Sequence, residues 1–308
     1  MLIASWNVRG FGLDNKKSMI RNFIKEEHLD LRGLVETKHH KLVNWELRSW
    51  LGHQSVEFMD VAAQQGSGGL ILTWKAEAFT LRNSFAKERW ICVEGTFHQS
   101  QFNCAICLLY APNDQQERSQ VLAQLRAVRA RVGSPLIIMG GFNKVLRPHE
   151  RSGGSVFTQG MRDFSNLISD LQLMDMDIGQ SFTWIRKNAA SRIDRVLVDG
   201  DLIQTFPDSH VFCKGRMFSD HFPLIFSTTN ISWNPSPFRS LDCWLEEPSF
   251  ESTFKKEWLM LTRLPLERKL KLIKKSLRNR DVFGHIETKI RHFKQALGSL
   301  EMEVQARS

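Results

Sequence analysis

Along the first 228 positions, apolar residues gather in short runs broken by Gly, Asn and Asp, and few stretches carry helical spacing. The runs predict strands over 1–8, 30–36, 55–60, 69–74, 90–97, 101–110, 136–142, 181–186, 192–198, 209–213 and 222–227. Val, Ile, Leu, Phe and Trp dominate them, as pleated and buried surfaces favour. Helices are expected over 15–27 behind Asp14, over 115–131 behind Asp114-x-x-Glu117, and over 159–171 behind Thr158. So many short strands with so few helices favour two packed sheets with helices outside, rather than a simple alternating βαβ sheet. "QGSGG" at 65–69 and "RSGG" at 151–154 read as flexible surface loops.

The pattern changes near position 229. "TTNISWNPSPFRS" carries two prolines and several turn formers, which marks 229–248 as a linker after a first domain of 1–228. Residues 249–308 then form a basic helical extension, with Leu270, Ile273, Leu277 and their successors at helical spacing. That apolar stripe packs back on the body or meets a partner.

Charge sharpens this division. The chain carries a formal +9, with +4 on 1–228, −2 on 229–250 and +7 on 251–308. A basic tail on a nearly balanced body suits a polyanion, most simply nucleic acid, or a solvated helix surface. No apolar run approaches the roughly 18 residues of a membrane span. The start "MLIASWNVRG" reads as a strand rather than a signal peptide, so a nuclear or cytoplasmic protein is expected, not a secreted or membrane one. Five scattered cysteines fit a reducing compartment. Cys104-x-x-Cys107 looks like half a zinc site, but positions three apart on a strand face opposite sides, and core cysteines are the better reading.

Several strand ends carry polar residues that packing does not need, and a strand end is a rigid mount for chemistry. They are Asn7, Glu36, Tyr110 (the chain's single tyrosine), Asn143, Asp194, and Ser219-Asp220-His221 before the last strand. Taken one by one, Asn7 could end a strand, Glu36 could be a surface acid, and Asp194 could pair with Arg192 or Arg195. The whole set is more telling than any member.

Asn7, Glu36, "YAPN", "GGFN", "FTW", "SRIDR" and "SDHFPL", in this order and spacing, resemble the endonuclease/exonuclease/phosphatase superfamily, which includes deoxyribonuclease I-like enzymes. "WNVRG", "VETK" and "ERSGG" are most similar to the endonuclease domain of plant non-LTR (LINE-type) retrotransposons. The resemblance implies an α/β fold, a four-layer α-β-β-α sandwich, for 1–228. It also implies phosphodiester hydrolysis of DNA with Mg2+ (or Mn2+). Glu36 would be the chief metal ligand, helped by Asn7 and Asp220. His221, oriented by Asp194, would serve the scissile phosphate or the attacking water. Tyr110 and Asn143 would hold phosphate oxygens, and Ser219 would support Asp220. Trp184 would lean on the DNA minor groove or, preferably, fill the core. Arg9 stands where many relatives carry an acid, and would contact phosphate. The tail resembles the segment leading to a reverse transcriptase, which does not follow here, and a monomer is expected.

Gly141 is the larger departure. The family turn is Gly-Asp-x-Asn, whereas this chain reads Gly140-Gly141-Phe142-Asn143. A glycine cannot orient water or move a proton, so the expectation is a nuclease site with strongly reduced turnover. A non-catalytic nucleic-acid-binding remnant is the alternative, and a phosphatase of the same superfamily a more distant one.

Overall fold

Two mixed six-stranded sheets pack face to face in the computed structural model, which describes residues 1–10, 12, 14–40, 56–64, 66–179, 182–228, 255–256 and 258–260. The first sheet orders β13 (His210–Cys213), β14 (Leu224–Ser227), β1 (Leu2–Asn7), β2 (Leu31–Val35), β4 (Leu70–Lys75) and β3 (Val56–Val61). The second orders β5 (Phe79–Lys87), β6 (Trp90–Phe97), β7 (Phe102–Tyr110), β8 (Leu136–Gly141), β12 (Asp194–Asp199) and β9 (Leu173–Asp175). A hairpin of β10 (Trp184–Arg186) and β11 (Ala189–Ser191) stands apart from both. Each sheet holds one parallel pair, β1 with β2 and β7 with β8, and each pair needs a crossover. Helices α1 (Asp14–Glu26) and α2 (Gln115–Arg131) supply them.

Strand alternation assigns each side chain to a layer. Ile3, Leu31 and Leu72 point inward and meet Ile106, Met139 and Val196 of the other sheet. The next residues along β1, Ala4 and Trp6, point outward onto Ile20, Phe23 and Ile24 of α1. On the opposite outer face, Ala105, Ile138 and Leu197 pack under Val121 and Leu125 of α2 and Phe164 and Leu167 of α3 (Gln159–Asp170). Each fully buried aliphatic side chain contributes about 1.5–3 kcal/mol. The result is the expected four-layer α-β-β-α sandwich.

The helix starts follow their caps. Asp114 accepts from the Glu117 amide at 2.9 Å, and the Thr158 hydroxyl accepts from the Met161 amide at 3.4 Å. Three short or polar strands and one helix were not expected: β5, β9, β11 and α4 (Gly200–Thr205). β5 and β9 are the two edges of their sheet, and "FTLRNSFAK" turns most of its residues to solvent, so no apolar run betrays it. β11 is "AAS", too small to read as a strand.

Arg192 and Arg195 belong to a buried ionic knot rather than to Asp194. Arg192 donates to Asp175 at 3.1 Å and lies 3.4 Å from Glu150. Arg195, with no exposed side-chain surface, reaches Asp175 at 2.5 Å and also grips Glu150. Cys104 packs between the sheets and Cys107 under the outer helices, and burial pushes the Cys104 thiol up to about 12. Among the described residues no helix is long and apolar enough to cross a membrane. The linker and the basic extension lie outside the described residues, except that 255–256 and 258–260 are helical.

Candidate functional site

The strand directions bring the polar strand ends to one edge. β1, β2, β7 and β8 present their carboxyl ends there, and antiparallel β12 and β14 begin there. A groove of about 680 Å3 runs along this edge, lined by Asn7, Arg9, Glu36, Tyr110, Asn143 and His221 among others. Arg9, Glu36, Lys38 and Asn143 all take positive φ, between 49° and 56°. Left-handed backbone at non-glycine residues is costly and concentrates at sites where geometry is over-determined.

One wall is a carboxylate seat. Glu36 is buried, and its Oε2 accepts from Asn7 Nδ2 at 3.0 Å. The side-chain Oδ1 of Asn7 is fixed in turn by the Arg9 backbone amide at 3.1 Å. The cations nearest Glu36 Oε1 are Arg9 Nη1 at 3.5 Å and Lys38 Nζ at 3.7 Å, and the Tyr110 phenol faces the same carboxylate. Burial and the Glu36 carboxylate push the Tyr110 phenol up, so it remains a proton donor.

The other wall is an imidazole–carboxylate pair. His221 Nδ1 and Asp194 Oδ2 are 2.8 Å apart, and both residues are buried. An acceptor at Nδ1 assigns that nitrogen the proton and leaves Nε2 toward the groove. Asp194 is seated by Thr183, whose fully buried hydroxyl accepts the amides of Ile193 and Asp194 at 3.0 and 2.9 Å. The backbone of His221 is held by the Ser219 hydroxyl at 3.1 Å, and Ser219 itself donates to the Asn7 carbonyl at 2.7 Å. Ser219 thus ties β1 to the start of β14.

Asp220 is committed to protein partners. Arg9 clamps it at 2.8 and 3.0 Å, and Trp184 Nε1 donates to it at 3.1 Å. Burial pushes its carboxyl up, but the Arg9 hydrogen bond, the His221 and Arg9 charges and the indole hold it below the usual carboxylate range. Trp184 is only half buried and lines the groove, so it does not fill the core as preferred from sequence: its indole N–H needs an acceptor and finds one at the surface. Arg9 does face the groove, with a third of its side chain exposed, but it arrives already paired.

The glycine pair at the end of β8 has two different causes. Gly140 has φ +128°, and a Cβ there would lie 2.1 Å from the Leu109 carbonyl oxygen, so glycine is obligatory. Gly141 has no such φ. A Cβ on it would touch Asp194 Oδ1 at 3.4 Å and Tyr110 Cδ2 at 3.6 Å, both ordinary contacts. The side-chain Nδ2 of Asn143 donates to the Ala111 carbonyl at 2.6 Å, which anchors the turn despite its two glycines.

The donor set was tested for a hard divalent cation. Among the described residues no three His, Cys, Asp or Glu converge as a metal cluster. Magnesium needs fewer, since it is commonly held by one or two carboxylates with water and substrate phosphate. Glu36 Oε1 fits that requirement; Asp220, saturated by Arg9 and Trp184, does not add a second carboxylate. Sequence reasoning missed Thr183 as a positioning group, although "FTW" flagged its neighbourhood. It also missed Lys38, Arg118, Lys144 and Arg151, which are ordinary basic residues until the fold gathers them.

A profile of the endonuclease/exonuclease/phosphatase family matches residues 4–221. Solved structures share the fold. An AP endonuclease from Leishmania major is 17% identical with a TM-score of 0.58, covering 73% of this chain and 86% of that one. A 3′ phosphatase from Neisseria, solved with a product DNA hairpin, is 17% identical with a TM-score of 0.56, covering 74% and 98%. The endonuclease domain of TRAS1, a telomere-specific non-LTR retrotransposon, is 14% identical with a TM-score of 0.56, covering 73% and 96%. No curated protein sequence matches significantly. The match over 4–221 takes in every strand end of the groove from Asn7 to His221, and the chain belongs to the endonuclease/exonuclease/phosphatase family.

Proposed function

We propose that the chain is a phosphodiesterase of the LINE endonuclease type, acting on DNA with Mg2+ or Mn2+, and slowed by the glycine at 141. The observation that carries this reading is the His221–Asp194 pair lodged beside the Glu36–Asn7 seat in one groove. Each member has a role its geometry suits. Glu36, supported by Asn7, would hold the cation, which neutralises phosphate charge and polarises the phosphoryl oxygen. The Tyr110 phenol donates to a phosphate oxygen as charge builds there. His221 Nε2, with Nδ1 tied to Asp194 and Asp220 Oδ1 4.0 Å away, is placed to handle a proton or a phosphate oxygen. Asp220 and Ser219 orient Arg9, Trp184 and the His221 backbone. Trp184 offers an indole face to a base or sugar.

Gly141 removes a group from this set. It pairs in register with Tyr110 on one side and Asp194 on the other, so a side chain there would stand between them. Losing a positioned acid or base costs about 10²- to 10⁴-fold in rate. A DNA-binding remnant without turnover is the second reading, favoured by the same glycine and by the Arg9 cation that already neutralises Asp220. Magnesium-dependent nicking of supercoiled plasmid separates the two. Slow nicking abolished by Glu36→Ala and by His221→Ala supports the enzyme. Nicking that survives both substitutions refutes it, and DNA binding with no nicking favours the remnant.

A further inference from the structure

The groove extends past the catalytic residues to a wall that the chemistry above does not use. Arg118 of α2, Lys144 just beyond β8 and Arg151 line it. A smaller cleft of about 150 Å3 between α2 and α3 opens beside it and shares Arg118, Lys144 and Gly160. Lys144 makes no hydrogen bond or ion pair to a described residue, and neither does the side chain of Arg151. Arg118 Nη1 donates to the carbonyls of Pro112 at 3.2 Å and Asn113 at 2.7 Å, which fixes the guanidinium without neutralising it. The acid that faces Lys144, Asp163, already accepts from Gln159 at 2.7 Å.

Folding alone gives no reason for this arrangement. Burial and the charges of Arg118 and Arg151 hold the Lys144 ammonium below its ordinary pKa. Its Nζ also sits against Gly160, the second residue of α3, where a Cβ would lie only 2.2 Å away. The first turn of a helix carries partial positive charge, so an ammonium there is electrostatically misplaced. Asp163 near Lys144 and Asp114 near Arg118 offset part of the repulsion, but both cations stay below their ordinary pKa, and an anion bound among the three and the helix start would stabilise them together.

We propose that Arg118, Lys144 and Arg151 form a second phosphate subsite, which holds a backbone phosphodiester of the DNA strand away from the one being cleaved. This rests on the reading of the groove as a DNA site and adds which surface tracks the strand. Phosphate contacts of this kind set register and orientation rather than sequence preference.

The test is anisotropy of a short fluorescein-labelled DNA duplex across a salt series in EDTA, where cleavage does not interfere. Lys144→Gln and Arg118→Gln are each expected to weaken binding and to reduce the slope of log affinity against log salt by about 0.9. Lys144→Arg should keep the slope, and Lys87→Gln, on the edge strand β5, should not change it. Lys144→Gln should melt at the same temperature as the unaltered chain or higher, because removing it relieves repulsion. A purely structural lysine would lower the melting temperature and leave the slope alone. Binding by the unaltered chain with a slope that neither substitution changes overturns the subsite alone. Undetectable binding at low salt overturns the DNA reading of the groove as well.

Discussion

Gly141→Asp is the perturbation that most directly tests how the site works. The backbone permits it: Gly141 has no positive φ, and the new Cβ would make contacts of 3.4 and 3.6 Å with Asp194 and Tyr110. The new carboxyl would then face Asp194. Two carboxylates about 5 Å apart at an effective dielectric of about 20 repel by about 3 kcal/mol. That repulsion pushes the pKa of the new acid above the ordinary carboxylate range. An acid–base group raised toward neutrality is better placed to act near neutral pH. The expected gain in nicking is about 10²- to 10⁴-fold, equivalent to about 3–5 kcal/mol of barrier. The assay is the rate of supercoiled plasmid nicking in magnesium as a function of pH, with Gly141→Asn as the isosteric control. The rate of the aspartate variant should rise with pH as the new carboxyl ionises, at a pH above the ordinary carboxylate range. The reasoning fails if Gly141→Asn is as active as Gly141→Asp, or if the unaltered chain nicks as fast as Gly141→Asp.

Three further predictions concern the scaffold. Gly140→Ala, which drives a Cβ into the Leu109 carbonyl at φ +128°, should cost about 3 kcal/mol in urea unfolding, whereas Gly141→Ala should change stability by less than about 1 kcal/mol. Equal costs would refute the distinction between the two glycines. Arg195→Met leaves Glu150 and Asp175 to share Arg192 alone and should cost about 3–5 kcal/mol by thermal denaturation; a loss under about 1 kcal/mol would show that the knot is not a buried charge network. Arg9→Gln should weaken the chain against acid. The Asp220 carboxyl is held below its ordinary range when folded, so its stabilisation is full above that range and disappears as pH falls through the folded-state value. Removing the clamp should move the acid limb of the melting-temperature profile to higher pH, and superimposable limbs would contradict it.

Much of the fold was legible because its central strands are buried on both faces. β7 and β8 are continuous apolar runs, which leaves no doubt about where a strand lies, and capping residues marked the starts of α2 and α3. β5 escaped because an edge strand needs only an occasional buried residue, and its pattern of one buried position in several resembles a loop. The candidate site was legible for a related reason. Asn7, Glu36, Tyr110, Asn143, Asp194 and His221 each interrupt apolar sequence at a strand end, and six such interruptions are too many for six independent accidents of packing. What sequence does not carry is the choice of partner. Asp194 lies beside Arg192 and Arg195 in the chain yet pairs with His221, because Arg195 faces the opposite side of β12 and both arginines, Arg192 from just before the strand, are drawn to Glu150 and Asp175.

The two adjacent glycines show how far that limit matters for function. In sequence only the resemblance to Gly-Asp-x-Asn tells them apart, since both end the same apolar strand. In space Gly140 is fixed by backbone geometry, since any side chain would strike the neighbouring strand, while Gly141 is constrained by neither φ nor packing. A residue that the fold does not dictate, placed between Tyr110 and Asp194 at the rim of a groove, is free to be chosen by chemistry alone. Glycine there is demanded by neither φ nor packing, so Gly141→Asp is expected to change turnover while it leaves the fold, the carboxylate seat and the imidazole pair in place.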